Sequence, residues 1–560
     1  MFHIKNKTTD DRYCYVFSTE KHKVLQFFSH TEILAALTIT LLVTYLSIWQ
    51  GRYHNDPHHW GLMLSNAMDL YHGKRPYEEI FIQYGILTTA IHALAFSASN
   101  TLLALIAITG LAYGLGIFLV FLISKCFFKS NYLLPILICS TIFLLHPYAI
   151  YPWSNYIAFP FLMLGIYFLI KNSRTDSYRG CKLNYFLSGL FFSLGVLSRE
   201  TLFPAIFLLI LSFSLFSFLY CKIPIKVFLK KTLILYFGFL IPLSIFFIYL
   251  VSSDLFFQWY KLSITLPIFY SENSPHFQNI NFLFGLDSFF YSIFSYVFKD
   301  ADSRWFLFLV IYVAQAIFLF DIIVTRKLEK KFSKDFLLKL VLLSFASILL
   351  ISSSLHLVEI FRLVSGSIVG IVILAFLLNS WSNIIAFIFF ILLIFNFIPT
   401  IFTEYPSIYT HTDSFERKNT SQIRSGLFKG QRWTSDNLTF YNDLEKDFGD
   451  ILNMKCGIKY HRNYTSSSFI TALSPFSPYQ QAPFDSIQIN KLWPNYDIDK
   501  KIQEAKDIIL IQGLPNKDLK SYKPPKNFRV FSKRNIPPGR YVVKESGTST
   551  LIVNVPSICL

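Results

Sequence analysis

The chain has 560 residues, 53% hydrophobic and 18% aromatic, with 61 Phe and a mean hydropathy of +0.44. Charged residues make up 15%, against about 25% in soluble globular proteins, which excludes an ordinary soluble protein; the alternation of an outer-membrane barrel is also absent. The formal charge of +17 points away from nucleic acid, because its Lys and Arg cluster in loops between apolar runs.

Residues 1–31 carry Lys5, Lys7, Arg12, Lys21 and Lys23. They are too long and polar for a signal peptide, and no small-residue cleavage site follows the first apolar run. A cytoplasmic N-terminal segment and an uncleaved first span are therefore expected. Runs of the ~17–25 apolar residues that cross hydrocarbon recur at 32–50, 102–124, 131–147, 154–170, 185–199, 201–220, 232–251, 304–325, 336–355, 363–379 and 382–402. They predict an all-α polytopic membrane domain of eleven helices over 32–402.

Orientation follows from KNSRTDSYRGCK (171–182), KIPIKVFLKK (222–231) and RKLEKKFSK (326–334), which the positive-inside rule assigns to the cytoplasm. Parity rests on YGILTTAIHALAFSAS (84–99). If this segment crossed the membrane, all three basic loops would swing outside. Lying flat at the interface, with His92 on it, it leaves them inside, and the flat reading is preferred. The outer face then holds 51–101, HPYAIYPW (146–153), SRET (198–201), a long loop at 252–303, HLVEIFR (356–362) and the tail from 403. Within the long loop, FFQWYKLSITLPIFY (256–270) reads as an interfacial amphipathic helix. No internal repeat is visible, which weakens a transporter of duplicated halves.

The tail, 403–560, has more Pro, Asn, Ser and Lys. DIILIQG (507–513), FRVFSK (528–533), RYVVKES (540–546) and TLIVNV (550–555) read as strands separated by PNKD, PP and PPG turns. A soluble α/β or β-rich domain on the outer face is expected. Of seven cysteines, only Cys456 and Cys559 lie in this tail; there they are able to pair, although spacing does not establish it.

Chemistry-bearing residues begin with HNDPHHWG (54–61). A carboxylate just past a span suits a general base; equally, Asp56 suits an N-cap with Pro57 at the first helical position. His54 and His58 have i, i+4 spacing, but Pro57 breaks the helix between them and no third ligand follows, so a divalent metal is allowed and not favoured. Arg199 in LSRET and Arg362 in HLVEIFRLVSG, with His356 and Glu359 upstream, suit bidentate phosphate contacts. Snorkelling of Arg199 and an intrahelical Glu359–Arg362 pair are the plain alternatives. Tyr148, Tyr151 and Trp153 fit a sugar site or an interfacial belt equally.

The next stretch, HGKRPYEEIFIQYG (72–85), contains G-x-x-P-Y-x-x-x-F-x-Q-Y-G. Together with the preceding short span, acidic residue and amphipathic helix, it resembles the first extracytoplasmic loop of the GT-C membrane glycosyltransferases, which include protein O-mannosyltransferases, aminoarabinose transferases and bacterial surface-polysaccharide sugar transferases. The resemblance covers roughly residues 32–200. Bacterial members usually carry an acidic residue two positions after the P-Y tyrosine, where Glu79 follows Glu78 here, and proline after Y-G, where this chain has Ile86.

The resemblance implies a bacterial inner-membrane enzyme that uses a polyprenyl-phosphate-sugar donor, with an acidic catalytic residue in the first outer loop, by position Asp56. Cationic residues would hold the donor phosphate. The expected substrate-binding set is Arg199, Arg362, His356, Glu359, Glu78, Glu79, Gln83, Tyr84, His58 and His59, with no metal ligand assigned. Sugar would pass with inversion to a hydroxyl of a glycan or lipid-linked acceptor such as O-antigen, with the tail helping to hold it. The rivals are a polysaccharide polymerase or ligase, and a lipid-linked glycan transporter or flippase.

Overall fold

A computed structural model describes residues 30–53, 59–82, 85–128, 133–145, 152–171, 178–222, 224–265, 282–299, 303–354, 360–402, 420–465, 468–478, 505–537 and 549–560. A helix occupies each of the eleven predicted apolar segments. In chain order they are α1 (His30–Gly51), α4 (Leu102–Phe127), α5 (Leu133–Leu145), α6 (Ser154–Lys171), α7 (Tyr178–Ser198), α8 (Phe203–Cys221), α9 (Ile225–Ser252), α12 (Ser303–Phe320), α13 (Lys334–Leu349), α15 (Ile371–Trp381) and α16 (Asn383–Phe402). Among the described residues, six helices are long and apolar enough to cross a membrane by themselves. Between the first two of these spans lie α2 (His59–Tyr71) and α3 (Ile86–Ser99). At 1.5 Å per residue, the 14-residue α3 is ~21 Å long, short of the ~30 Å hydrocarbon thickness. One face of α3 is buried through Thr88, Thr89, His92, Ala93 and Phe96.

The bundle turns apolar side chains both inward and outward, as a lipid-embedded protein can. On α9, Leu233, Phe237, Ile245 and Ile248 are each about two-thirds exposed, which suits a lipid-facing surface. Small residues bring helices together where packing is tightest. A Cβ on Gly189 of α7 would lie 2.1 Å from the Leu235 carbonyl oxygen, and one on Gly238 of α9 would lie 2.1 Å from that of Phe186. The two glycines let α7 and α9 meet backbone to backbone.

Two features depart from expectation. The long loop contains a further helix, α11 (Phe282–Phe298), after a short α10 (Phe256–Tyr260) and a π-turn at Lys261–Thr265; residues 266–270 of the expected amphipathic helix lie outside the described residues. The span predicted over 363–379 is broken: α14 (Ile360–Val364) is followed by a 3-10 turn at Ser367–Gly370 before α15 begins. Its Ser367 Oγ donates to the Ser347 carbonyl at 2.8 Å, and Ser347 Oγ donates to the Ser367 carbonyl at 2.5 Å. Tyr312 and Gln315 complete the cluster, with Gln315 Nε2 donating to Ser347 Oγ at 2.9 Å. Unwound backbone is tolerable inside a bundle when such partners satisfy it.

The tail has a β1 (Thr420–Gln422)–β2 (Arg432–Thr434) hairpin, α17 (Ser435–Asn453), β3 (Tyr460–Asn463), α18 (Ser468–Leu473), β4 (Ser477–Pro478), β5 (Ile508–Pro515), β6 (Phe528–Ile536) and β7 (Ser549–Pro556). Five strands form a mixed sheet in the order β4-β3-β5-β7-β6, parallel across β4-β3-β5 and antiparallel across β5-β7-β6. Three of the four predicted strands therefore appear, and 540–546 lies outside the described residues. Every residue of β7 is buried, as its central position requires. Arg534 of β6 makes a bidentate pair with Asp447 of α17 at 2.7 and 3.0 Å, tying that helix to the sheet. Cys456 and Cys559 form a disulfide with a Cα–Cα distance of 5.4 Å.

Tail and bundle share one continuous apolar core, which includes Leu64 and Ala67 of α2 with Phe469 and Ile470 of α18. Backbone hydrogen bonds fasten the hairpin to the bundle: Leu102 N donates to Leu427 O at 3.0 Å, and Arg432 N to Arg52 O at 2.7 Å.

Candidate active site

The loop between α2 and α3 is folded back over α2 by side chains of its own sequence. Asn66, buried in α2, donates from Nδ2 to the Phe81 carbonyl at 2.8 Å. Lys74 Nζ pairs with Asp69 at 2.6 Å after the turn at Gly73, whose φ is +82°. Burial raises the Asp69 carboxyl above its ordinary value, and the Lys74 ammonium pulls it back part of the way. Glu78 pairs with Arg75, and Glu79 Oε2 accepts from the Arg75 backbone N–H at 2.8 Å. Both acidic residues of the motif are thus turned onto Arg75, at the loop surface.

Tyr77 is the fixed point of this loop. It is fully buried with φ +65°, a left-handed conformation that costs a non-glycine residue ~1–2 kcal/mol. Its Oη donates to Glu200 Oε1 at 3.0 Å. Burial and the Glu200 carboxylate push the phenol well above its ordinary pKa, so it stays a donor. Around the pair lies a small apolar cluster of Leu62, Ile80, Phe81, Ile82, Leu250, Leu255 and Leu262, joining the loop to the end of α9 and to the segment after it.

The end of the motif is docked on the same edge. Gly85 has φ +90°, and a Cβ there would lie 2.3 Å from the Ser198 carbonyl oxygen. Thr88 Oγ1 donates to that same carbonyl at 2.7 Å. The Q-Y-G glycine is therefore required twice, by its dihedral and by the approach of α7's last turn. Arg199 follows immediately.

Arg199 is 3% exposed. Its Nη1 donates to Ser154 Oγ at 3.2 Å and to Asn155 Oδ1, both at the start of α6. Arg362, 6% exposed, lies in α14 with its guanidinium 5.1 Å from the Phe361 ring centroid. Phe361 in turn packs against Tyr156 at 6.0 Å. The first turn of α6 thus meets both Arg199, through Ser154 and Asn155, and the Phe361–Arg362 turn, through Tyr156. A buried guanidinium suits contact with an oxyanion, since burial strengthens the contact.

Asp56, His54, His58, Gln83, Tyr84, His356 and Glu359 lie outside the described residues, and of His59 only its backbone at the start of α2 is described. Among the described residues, no group of three His, Cys, Asp or Glu side chains could hold a metal. Sequence reasoning passed over Ser154, Asn155 and Tyr77. Asn155 stands beside the aromatic run that was weighed as a sugar site, and a polar pair opening a span was the available signal. It also passed over Arg304, 3% exposed at the start of α12.

The arrangement is a polytopic helical bundle with a helical segment between its first two spans and a sheet-containing C-terminal domain. No protein-family model and no curated protein matches the chain. Among solved structures it is similar to ArnT from Cupriavidus metallidurans bound to undecaprenyl phosphate, with a TM-score of 0.51 at 9% identity over 95% of this chain and 99% of that one. The apo state of the same ArnT gives a TM-score of 0.51 at 10% identity over 94% and 98% of the two chains.

Proposed function

We propose that the chain is an inverting glycosyltransferase of the bacterial inner membrane. It moves a sugar from a polyprenyl-phosphate donor to a hydroxyl of a periplasmic acceptor, a lipid-linked surface glycan such as O-antigen. The observation that carries this reading is the fold shared along almost the whole chain with an ArnT crystallised with undecaprenyl phosphate. Two nearly buried arginines at the ends of helices, Arg199 and Arg362, agree with it.

In this reading the donor enters laterally from the bilayer. Arg199 and Arg362 take up the charge that builds on the leaving phosphate. Asp56 removes the proton from the acceptor hydroxyl, which attacks the anomeric carbon from the face opposite the phosphate. His58, His59, Glu78, Glu79, Gln83 and Tyr84 in the first outer loop, with His356 and Glu359 ahead of Arg362, line the substrates. The disulfide between Cys456 and Cys559 supports an outer, oxidising location for the tail.

The test is release of polyprenyl phosphate from a labelled polyprenyl-phosphate sugar by the purified protein in the presence of acceptor. Arg199→Ala and Arg362→Ala should each slow release; a flippase would release none.

A further inference from the structure

At the seam between bundle and tail, an open groove of about 540 Å³ is lined by Tyr71 and His72 at the end of α2, by Phe96, Ser99, Asn100 and Thr101 at and after the end of α3, and by Arg424–Leu427 and Lys429 of the hairpin turn. That volume lies within the ~300–1,000 Å³ of small-ligand sites. We propose that this groove binds an anionic sugar residue of a glycan.

Three properties select that ligand. Among the described residues the lining carries Arg424, Lys429 and the His72 imidazole and no carboxylate; the nearest acidic residue along α2, Asp69, is already matched by Lys74. The lining also offers Ser99, Asn100, Thr101 and Ser425, short hydroxyl and amide side chains of the kind that bond sugar hydroxyls. Tyr71 is 46% exposed and is held edge-on by Phe96 at 5.6 Å and His72 at 5.3 Å, which presents an apolar ring to a sugar face.

The groove is built rather than accidental. The Leu102 N to Leu427 O bond joins its two walls, next to Thr101 on one and at Leu427 on the other, and the Ser99 and Thr101 hydroxyls are bonded to each other at 2.8 Å. Gly430, with φ +88°, lets the hairpin come down on Leu103, whose side chain would lie 2.9 Å from a Cβ at that position. Gly426, with φ +75°, has open space on its Cβ side.

Contacts to a non-reacting part of a substrate anchor it and contribute to orientation at the reacting part. That the anionic glycan is the acceptor rests on the transferase reading; the binding itself does not.

The experiment measures binding of tetragalacturonate, maltotetraose and inorganic phosphate to the full-length protein, in nanodiscs with and without phosphatidylglycerol. Tetragalacturonate should bind, maltotetraose and phosphate should bind at least tenfold more weakly, and the Arg424→Ala/Lys429→Ala double variant should lose tenfold or more for tetragalacturonate. A control double variant, Lys523→Ala/Lys526→Ala, removes the same charge outside the groove and should bind as wild type. Equal losses in both double variants, or equal binding of maltotetraose, would overturn the proposal. Phosphate binding as tight as tetragalacturonate would make the groove a plain anion site, and loss of binding only with phosphatidylglycerol would assign it to a lipid headgroup. Binding without any sugar transfer would sink the transferase reading and leave the groove standing.

Discussion

Tyr77 Oη donates a 3.0 Å hydrogen bond to Glu200 Oε1, joining the α2–α3 loop to the residue next to Arg199. The bond spans 123 positions of sequence and is made by a buried tyrosine in a left-handed conformation. Strain of this kind persists only where its surroundings over-determine it. Here the surroundings are the Leu62–Leu262 apolar cluster and the carboxylate itself. Tyr77→Phe leaves a buried carboxylate oxygen without its donor and should lower stability by about 1–3 kcal/mol. A thermal melt in detergent measures it, and Glu200→Gln in the same background should add little if the two residues act as one unit.

Gly85 makes a sharper prediction. Gly85→Ala drives a methyl group into the Ser198 carbonyl oxygen and forces a φ that alanine disfavours. The expected cost is at least the ~1–3 kcal/mol of an overpacked site. Because Arg199 follows Ser198, sugar transfer should fall further than the loss of folded protein explains. Normal activity per folded molecule would mean that the docking of α3 does not position Arg199.

The tail has its own pH dependence. His461 is buried in β3, its Nδ1 donates to the Phe476 carbonyl at 2.8 Å, and burial lowers its pKa from 6.5 to about 4. The folded tail therefore holds this imidazole neutral while the unfolded chain protonates it. Stability from this group is complete above pH 6.5 and is lost as pH falls through about 4, a change on the order of a few kcal/mol. His461→Asn keeps a donor toward Phe476 and should flatten the melting temperature between pH 7 and pH 4.

The disulfide is checked by mass. Among the described residues Cys456 and Cys559 are paired while Cys126, Cys139 and Cys221 are free, so alkylation of the unfolded, unreduced protein should mark those three and spare the pair. Reduction should lower the stability of the tail by about 2–5 kcal/mol, since the bond closes a separation of 103 residues.

Much of the bundle was legible from hydropathy because each span had to be long, apolar and internally bonded. The break near Ser365 was not, because the turn at Ser367 is satisfied by Ser347 of the preceding span, a tertiary pairing that hydropathy does not register. In the tail, β5, β6 and β7 announced themselves as apolar runs between turns. YHRN of β3 did not: its His461, Arg462 and Asn463 are all buried, and tertiary partners rather than pattern make that possible. The arginines were legible as cations at span ends; their partners Ser154 and Asn155, small and neutral, carried no comparable signal.

The most direct measurement of the central claim is the surface-glycan composition of cells carrying the wild-type gene, Asp56→Asn or a deletion. A transferase with Asp56 as its base predicts that one sugar disappears from the glycan in the deletion and in Asp56→Asn alike, with the variant protein still present in the membrane. A deletion that leaves every glycan unchanged would contradict the enzyme reading.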